Sequence, residues 1–282
     1  MSSIDISIII VSNNHQHYLE RCLSSLVEAN SSFQIEIFVV DNASSDNTVA
    51  FVKEKYPQVT VIASKVKRGF SANNNLGIQR SAGRYIMLLN PDTEVSPNAL
   101  SQLVNFMDSH PQVGICGPQL RFPDNSVQLS CRAFPTWKSV LVRRTPLRVF
   151  LRNSAFNKQH LLADQDHSVI REVDWLLGAA LMIRHETLEA IGRLDERYFL
   201  YVEDIDYCRR AYQQGWQVFY MPEAVIIHHH LAVSDRKFLS KYTYYHFISM
   251  FYYAVKYNLP GGQSVFRRQG EFLIDFLNGL VR

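Results

Sequence analysis

The stretch IEIFVVDNASSD, residues 35–46, decides the fold. Ile35 to Val40 reads as a buried strand. Ser44, Ser45 and Asp46 follow at once and offer N-caps to a helix running to about Tyr56. A buried strand feeding a capped helix is half of a βαβ unit, and the flanking sequence supplies the rest. Ile6–Val11 reads as a first strand, and Tyr18, Leu19, Cys22, Leu23 and Leu26 repeat at helical spacing after it. Val59–Ala63 reads as a third strand, Phe70–Arg80 as a helix closed by Gly83, and Tyr85–Leu89 as a fourth strand. Strands alternating with helices predict an α/β fold with a mostly parallel sheet. Ligands bind such sheets beyond the carboxyl ends of the strands. Asp41 and Asp92 stand just past two of those ends.

The wider sequence bounds the classes that remain. The chain has 282 residues, 47% apolar and 20% charged, enough apolar content for a substantial core. Its net charge of +3 is too small for a dedicated nucleic-acid binder, so no nucleic-acid partner is expected. Cys22, Cys116, Cys131 and Cys208 form no CxxC pair and predict reduced, mostly buried thiols of a cytoplasmic protein. No basic leader precedes the first strand, and no apolar run is long enough to span a bilayer. From Asn125 to Ala163 there is no Asp or Glu, while Arg132, Lys138, Arg143, Arg144, Arg148, Arg152 and Lys158 alternate with Phe134, Trp137, Phe150 and Phe156. That segment is either a solvated loop and surface helix, or a face that meets an anionic acceptor or the inner surface of the plasma membrane. The aromatic stretch Tyr242–Tyr257 predicts a helix whose stripe serves the core, a homodimer face or the same membrane surface, and Arg267 and Arg268 follow it.

Five constellations carry candidate chemistry. Asp41 and Asn42 end the second strand, where a carboxylate can accept the imide N–H of a pyrimidine base; Asp46 is accounted for by helix capping. Asn90-Pro91-Asp92 starts a turn after the fourth strand and offers Asp92 to a divalent ion bound to a diphosphate. Glu203, Asp204 and Asp206 crowd the start of a helix running to Gly215. Acids there suit the helix dipole, and one can serve as a general base, with Asp204 first, Glu203 supporting it and Asp206 facing elsewhere. His228, His229 and His230 end an apolar run, Val225–Ile227, and one of them can complete a divalent site with Asp92. Lys67-Arg68-Gly69, followed by Asn73 and Asn74, offers a close approach, cations and amides to a base or diphosphate. Neither GxxxxGK[ST] nor GxGxxG occurs.

In order and spacing the segments VVDNASSD, GFSANNNLGI, YIMLLNPDTEV, WLLGAALMIR, LDERYFLYVEDIDYCRRA and the histidine run resemble family-2 inverting glycosyltransferases over about residues 4–235. The resemblance is nearest to a bacterial rhamnosyltransferase-like branch, in which Asn-Pro-Asp is common. It implies a GT-A fold, a Rossmann-like mixed sheet flanked by helices. The domain spans 1–235, with a nucleotide-sugar half at 1–120 and an acceptor and catalytic half at 121–235; a helical extension follows at 236–282. It implies that Asp41 recognises the base, that Asp92 and His228 hold Mg²⁺ or Mn²⁺, and that Asp204 is the base. Trp175, Gly178 and Ala179 then belong to the acceptor-side loop. The chain departs from the family at Ser12-Asn13-Asn14, where Thr-Tyr-Asn is frequent, at Lys67, where Asn is common, and at Asn73, where a small residue is usual. The expected reaction moves a hexose, rhamnose first, from a dTDP- or UDP-sugar to a glycan or polyprenyl-linked acceptor of the cell envelope. A nucleotidyltransferase would instead need Arg and Lys in a Gly-rich first loop, and Ser12–His17 holds neither. A non-catalytic binding protein would need no base at Asp204, and slow donor hydrolysis separates it from an enzyme.

Overall fold

The computed structural model describes residues 4–29, 33–135, 161–230 and 241–258. The masses of basic and aromatic residues from Trp137 to Lys158, and Arg267 and Arg268, lie outside the described residues. The predicted alternation is present: β1 (Ile6–Ser12), α1 (Gln16–Glu28), β2 (Ile35–Asn42), α2 (Thr48–Lys55), β3 (Thr60–Ser64), α3 (Phe70–Ile78) and β4 (Tyr85–Leu89). Then come β5 (Thr93–Val95), α4 (Ala99–Ser109), β6 (Val113–Arg121), β7 (Val127–Gln128), β8 (Cys131–Arg132), β9 (Arg171–Glu172), β10 (Trp175–Leu176) and β11 (Ala180–Arg184). The remaining elements are α5 (His185–Ile191), α6 (Glu203–Gln213), β12 (Gln217–His228) and α7 (Lys241–Asn258).

The main sheet runs β3-β2-β1-β4-β11-β6-β12-β5, with β7 beside β6 and β9 beside β12. The first four strands are parallel, β11 is antiparallel to both β4 and β6, and β12 lies parallel to β6 but antiparallel to β5. This is a mixed sheet flanked by helices, as the resemblance implied. Ile6, Ile8, Ile9 and Ile10 of β1 are wholly buried, and burial of each such side chain contributes about 1.5–3 kcal/mol. All four cysteines are free and buried.

Two boundaries differ from expectation. The helix that begins at Phe70 stops at Ile78, before Gly83; Gly83 instead lies against β1, its N–H donating to Ser7 Oγ at 2.8 Å. The strand seen in the sequence only as Val225–Ile227 is twelve residues long. Its pairing with β6 shifts register between Met221 and Val225, around Pro222 and Glu223, and a bulge is how a strand accommodates proline.

The aromatic helix α7 serves mainly the core. Ile248, Met250, Tyr252 and Tyr253 are buried in a cluster with Tyr198, Ile205 and Tyr207, while Phe247 and Phe251 are exposed. Lys256 Nζ bonds Asp195 Oδ2 at 2.9 Å and Asp206 Oδ1 at 2.6 Å. Tyr252 and Tyr257 donate to the same two carboxylates. Among the described residues no helix is long and apolar enough to cross a membrane.

Candidate active site

A cleft of about 510 Å³ opens at the carboxyl ends of β1, β2 and β4 and reaches the start of α6 and of α7. Of the residues singled out in the sequence, Asn42, Lys67, Arg68, Asp92, Gly178, Ala179, Glu203, Asp204 and His228 line it. Asp41, Gly69, Asn74 and Trp175 are not among its lining residues.

The floor is stitched by side-chain amides. Asn42 Nδ2 donates to Arg68 O at 2.9 Å, and Asn42 Oδ1 accepts from Arg68 N at 2.8 Å. That reciprocal pair fixes the Lys67–Gly69 loop beside β2. Asn13 Nδ2 donates to Asn42 O, and Asn14 Oδ1 accepts the Ser45 N–H at 2.7 Å. Asn13, which departs from the family pattern, and Asn14, which matches it, therefore hold the first loop to the second. Asp41 is buried; its Oδ2 accepts the Ser44 N–H at 3.0 Å, while Oδ1 has no hydrogen-bond partner. An orphaned buried carboxylate oxygen is costly, and an N–H from a bound base is the kind of donor that would satisfy it. Asp46 accepts from Thr48 N and Oγ1, but it stands one residue before the N-cap of α2, which is Asn47 and makes no side-chain cap bond, so the N-cap expected at Ser44, Ser45 or Asp46 is not formed.

Gly69 is required by packing. A Cβ there would stand 2.7 Å from Phe199 O, where Phe70 N–H donates to that same carbonyl. Asn73 and Asn74 are buried on α3, their amides donating to the Gly69 and Phe70 carbonyls. Trp175 is buried in the β10–β8 pair, with its indole N–H on Ala133 O at 2.9 Å. It thus serves the core rather than the cleft, contrary to the acceptor-side place expected of it.

The short strand β5 explains why Asp92 and His228 meet. It pairs antiparallel with β12, setting Thr93 opposite His228, and His229 N–H donates to Asp92 O. His228 Nε2 lies 3.5 Å from Asp92 Oδ1. His228 Nδ1 is 2.7 Å from Gln128 Oε1, which can only accept, so Nδ1 donates there and the ring is oriented with Nε2 toward Asp92. A carboxylate and an imidazole nitrogen side by side are a donor set that suits a divalent cation, with Gln128 orienting the ring from behind. Among the described residues no third His, Cys, Asp or Glu joins them. His229 bonds Glu94 at 2.6 Å instead, and His230 packs on the His228 ring.

Glu203 and Asp204 of α6 line the same cleft. Tyr201 and Val202 both have left-handed φ, 68° and 72°, immediately before Glu203. For a β-branched valine this is a genuine outlier, and such strain of about 1–3 kcal/mol per residue clusters at functional sites. The turn aims Glu203 and Asp204 into the cleft. Asp204 Oδ2 accepts the Gly178 N–H at 3.0 Å, and Oδ1 accepts the Ile205 N–H at 2.9 Å. A Cβ on Gly178 would lie 3.3 Å from Asp204 Cβ, so glycine lets the loop close on the carboxylate. Burial raises the Asp204 pKa above the ordinary carboxylate range, against the lowering effect of the two N–H donors. Burial, then the neighbouring Asp204 charge, raises Glu203 well above its usual value, and its Oε2 has no hydrogen-bond partner. Asp206 faces away, into the network with Lys256, Arg210, Tyr198 and Tyr257.

Sequence reasoning did not reach Gln128, the amide stitching by Asn13 and Asn14, or the contribution of Lys241, Tyr242 and Tyr245 to the cleft wall. The aromatic run in α7 was the only signal for the last of these.

Residues 7–169 match the family described as Glycosyl transferase family 2. The chain is 29% identical over 228 residues to the N-acetylglucosaminyl-diphospho-decaprenol L-rhamnosyltransferase of Mycobacterium tuberculosis, covering 75% of this chain and 72% of that one. It is 26% identical over 279 residues to Rhamnosyltransferase WbbL of Escherichia coli K12, covering 94% and 98%. Among solved structures, the mannosyltransferase PcManGT of Pyrobaculum calidifontis, in complex with GDP-Man and Mn²⁺, aligns at a TM-score of 0.60 and 18% identity, over 99% of this chain and 72% of that one. GalNAc-T7 with UDP, GalNAc and Mn²⁺ aligns at 0.61 and 15% identity, and the chain spans 55% of its length. At these identities the structural likeness is one of fold.

Proposed function

The chain belongs to glycosyl transferase family 2, and from that premise we propose a metal-dependent, inverting transfer of a hexose, rhamnose first, from a dTDP- or UDP-sugar to a polyprenyl-linked or glycan acceptor in cell-surface polysaccharide synthesis. The observation that carries the proposal is that Asp204, held by the Gly178 N–H, and the Asp92–His228 pair line one cleft. The printed names of the rhamnosyltransferase relatives support the choice of sugar and of a lipid-linked acceptor.

In this reading Asp41 offers its orphaned Oδ1 to the imide N–H of the pyrimidine, and Asn42 sets the Lys67–Arg68 cations beside the diphosphate. Asn74 and Gly69 keep that loop in place from α3. Asp92 and His228 would hold Mg²⁺ or Mn²⁺, which when bound offsets the charge of the departing nucleoside diphosphate. Asp204 takes the proton of the acceptor hydroxyl as that oxygen attacks the anomeric carbon from the face opposite the leaving group. One displacement inverts the centre, so a single base suffices. A raised pKa makes Asp204 a stronger base once ionised, and Glu203 beside it contacts the acceptor as a neutral acid. Gly178 and Ala179 give the acceptor its close approach. We assign the nucleotide-sugar half to 1–120, the acceptor and catalytic half to 121–235, and the added helical region to 236–282. A cytoplasmic protein, peripheral at the inner face of the plasma membrane or paired with a second copy, fits the exposed Phe247 and Phe251 of α7.

A thermal-shift series with dTDP, UDP and GDP, with and without Mn²⁺, tests the donor side. A ligand that binds the native state raises the melting temperature by mass action. The expected result is metal-dependent stabilisation by dTDP or UDP that is lost in Asp92→Ala. Asp204→Asn should keep that stabilisation while losing transfer by about 10²–10⁴-fold. Stabilisation by no diphosphate, or transfer surviving in Asp204→Asn, would sink the proposal.

A further inference from the structure

One imidazole in the cleft, that of His15, makes no side-chain hydrogen bond among the described residues. It occupies the N-cap position of α1 but does not cap the helix, and histidine is not among the residues that caps prefer. Its Nδ1 is buried without a hydrogen-bond partner, which leaves Nε2 as the nitrogen that meets the cleft. Burial lowers the His15 pKa, against the opposing pull of Asp92 and then Asp46. The ring is therefore neutral near pH 7 and carries one proton. An enclosed N–H without an acceptor is a rarer and costlier orphan than an enclosed lone pair, so that proton belongs on Nε2. The cleft is thus offered a single N–H donor on a half-buried ring.

The topology sets what this donor can reach. β1 lies between β2 and β4 in the sheet. The β1–α1 loop therefore stands between Asp41 and Asn42, at the end of β2, and Asp92, past the end of β4. Those two outer strands are two strand spacings, about 10 Å, apart. A nucleoside diphosphate with its base at Asp41 and its far phosphate at the Asp92–His228 pair has to cross that loop. The charges that act on His15 agree with the middle position, since Asp92 and Asp46 come from the loops on either side of it. Ser12 Oγ and Asp41 Oδ1, set level with each other by the β1–β2 register, are also buried without partners. This end of the sheet keeps several polar atoms that the chain itself does not satisfy, and buried polar atoms ordinarily find partners.

We propose that His15 is a phosphate-binding residue of the donor site, its Nε2–H donating to a non-bridging oxygen of the nucleoside diphosphate where that group crosses β1. This rests on the transferase reading of the cleft. It adds a phosphate contact separate from Lys67, Arg68 and the Asp92–His228 pair, made by a neutral donor whose bond is strengthened by the charge of its acceptor.

The test is titration calorimetry of the full chain with dTDP and with UDP in Mg²⁺, beside NMR titrations with thymidine and uridine. His15→Leu should weaken the better-bound diphosphate by about tenfold or more, as expected for a lost hydrogen bond to a charged group, and should leave its nucleoside unchanged. His15→Gln, whose amide N–H reaches the place of Nε2, should restore most of the loss. A diphosphate affinity that His15→Leu leaves unchanged, an equal loss for the nucleoside, or a loss that His15→Gln does not restore would each overturn the assignment. Histidine ¹⁵N labelling adds a direct readout. With the diphosphate and Mg²⁺ bound, the His15 Nε2 resonance, identified by its absence in His15→Gln, should be that of a protonated nitrogen. A bare nitrogen would mean that His15 binds the metal instead, and would overturn the assignment as well. Failure of the unaltered chain to bind either diphosphate sinks the transferase proposal itself, whereas diphosphate binding that is indifferent to His15 sinks this contact alone.

Discussion

Replacing Lys256 by methionine should cost the fold about 3 kcal/mol, the low end of the range for stranding a buried charge by removing its partner. The side chains involved are well covered: 15% exposed for Lys256, 11% for Asp195 and 1% for Asp206. Methionine fills the stem but leaves two carboxylates without their shared ammonium. The loss is held to the low end because each acid keeps other donors. Asp206 retains Arg210 Nε at 2.8 Å and the hydroxyls of Tyr198 and Tyr257; Asp195 retains Arg197 Nε at 2.9 Å and the Tyr252 hydroxyl. At about 2–4 °C per kcal/mol for a chain of this size, the melting temperature should fall by roughly 6–12 °C. The effect has a pH signature. Burial pushes the Asp195 carboxyl up, but Arg197 and Lys256 outweigh it and hold it well below the usual carboxylate range. A group whose folded pKa is depressed stabilises the fold above its unfolded pKa, about 3.9, and loses that contribution as pH falls toward the folded value. Lys256→Met removes part of the depression, so the gap to the unaltered chain should be widest near pH 7 and narrow below pH 4. Melts followed by circular dichroism at both pH values, within a double-mutant cycle with Asp206→Asn, measure this. A loss under about 1 kcal/mol at pH 7 is what an exposed ion pair would give; it would refute the idea that this network latches α7 to α6, the helix bearing Asp204.

Two further perturbations probe the acids themselves. Glu203→Gln should stabilise the chain more as pH rises. The folded Glu203 pKa is raised, so its contribution is complete below the unfolded value, about 4.3, and is lost as pH climbs toward the folded one. Glutamine has nothing to ionise, so its advantage in denaturant should be larger at pH 7.5 than at pH 4.5; equal advantages would show that Glu203 is not held neutral. Gly178→Ala places a methyl 3.3 Å from Asp204 Cβ and 3.5 Å from Oδ2. Relief needs a few tenths of an ångström, and a misplacement of 1 Å is worth about 10²-fold, so kcat should drop about fivefold with the melting temperature little changed. Its acid limb should move up, since the Gly178 N–H lowers the Asp204 pKa; an unchanged kcat would mean that the base is not positioned through this loop.

What could be read in the sequence follows the range of the interactions involved. The IEIFVVDN run forms β2, buried from Phe38 to Asp41, and Tyr85–Leu89 forms β4 as read, because a strand buried on both faces writes its burial into consecutive apolar residues. Asp41 and Asp92 stood out because each follows such a run, and Asp204 because it belongs to a cluster of acids at a helix start. The geometry that joins them was written nowhere locally. Three-residue β5 is too short to show a period, yet its pairing with β12 is what sets Asp92 against His228. Pro222 and Glu223 hid the continuity of β12, since only the observed register shift lets a strand pass them. Val202 is among the last residues a propensity argument would set at φ 72°, and the turn exists because the packing on both sides of it over-determines the chain. The aromatic stripe of α7 could not be divided by spacing into core, surface and cleft. Tyr252 and Tyr253 went to the core, Phe247 and Phe251 to solvent, and Tyr242 and Tyr245 to the cleft wall, according to which neighbour each turn of the helix meets. The acids and the histidine that line this cleft are therefore residues that local sequence can nominate, while part of its wall comes from a helix tied down by a buried ion network. A substitution in that network, far from any substrate atom, should alter acceptor choice before it alters nucleotide binding.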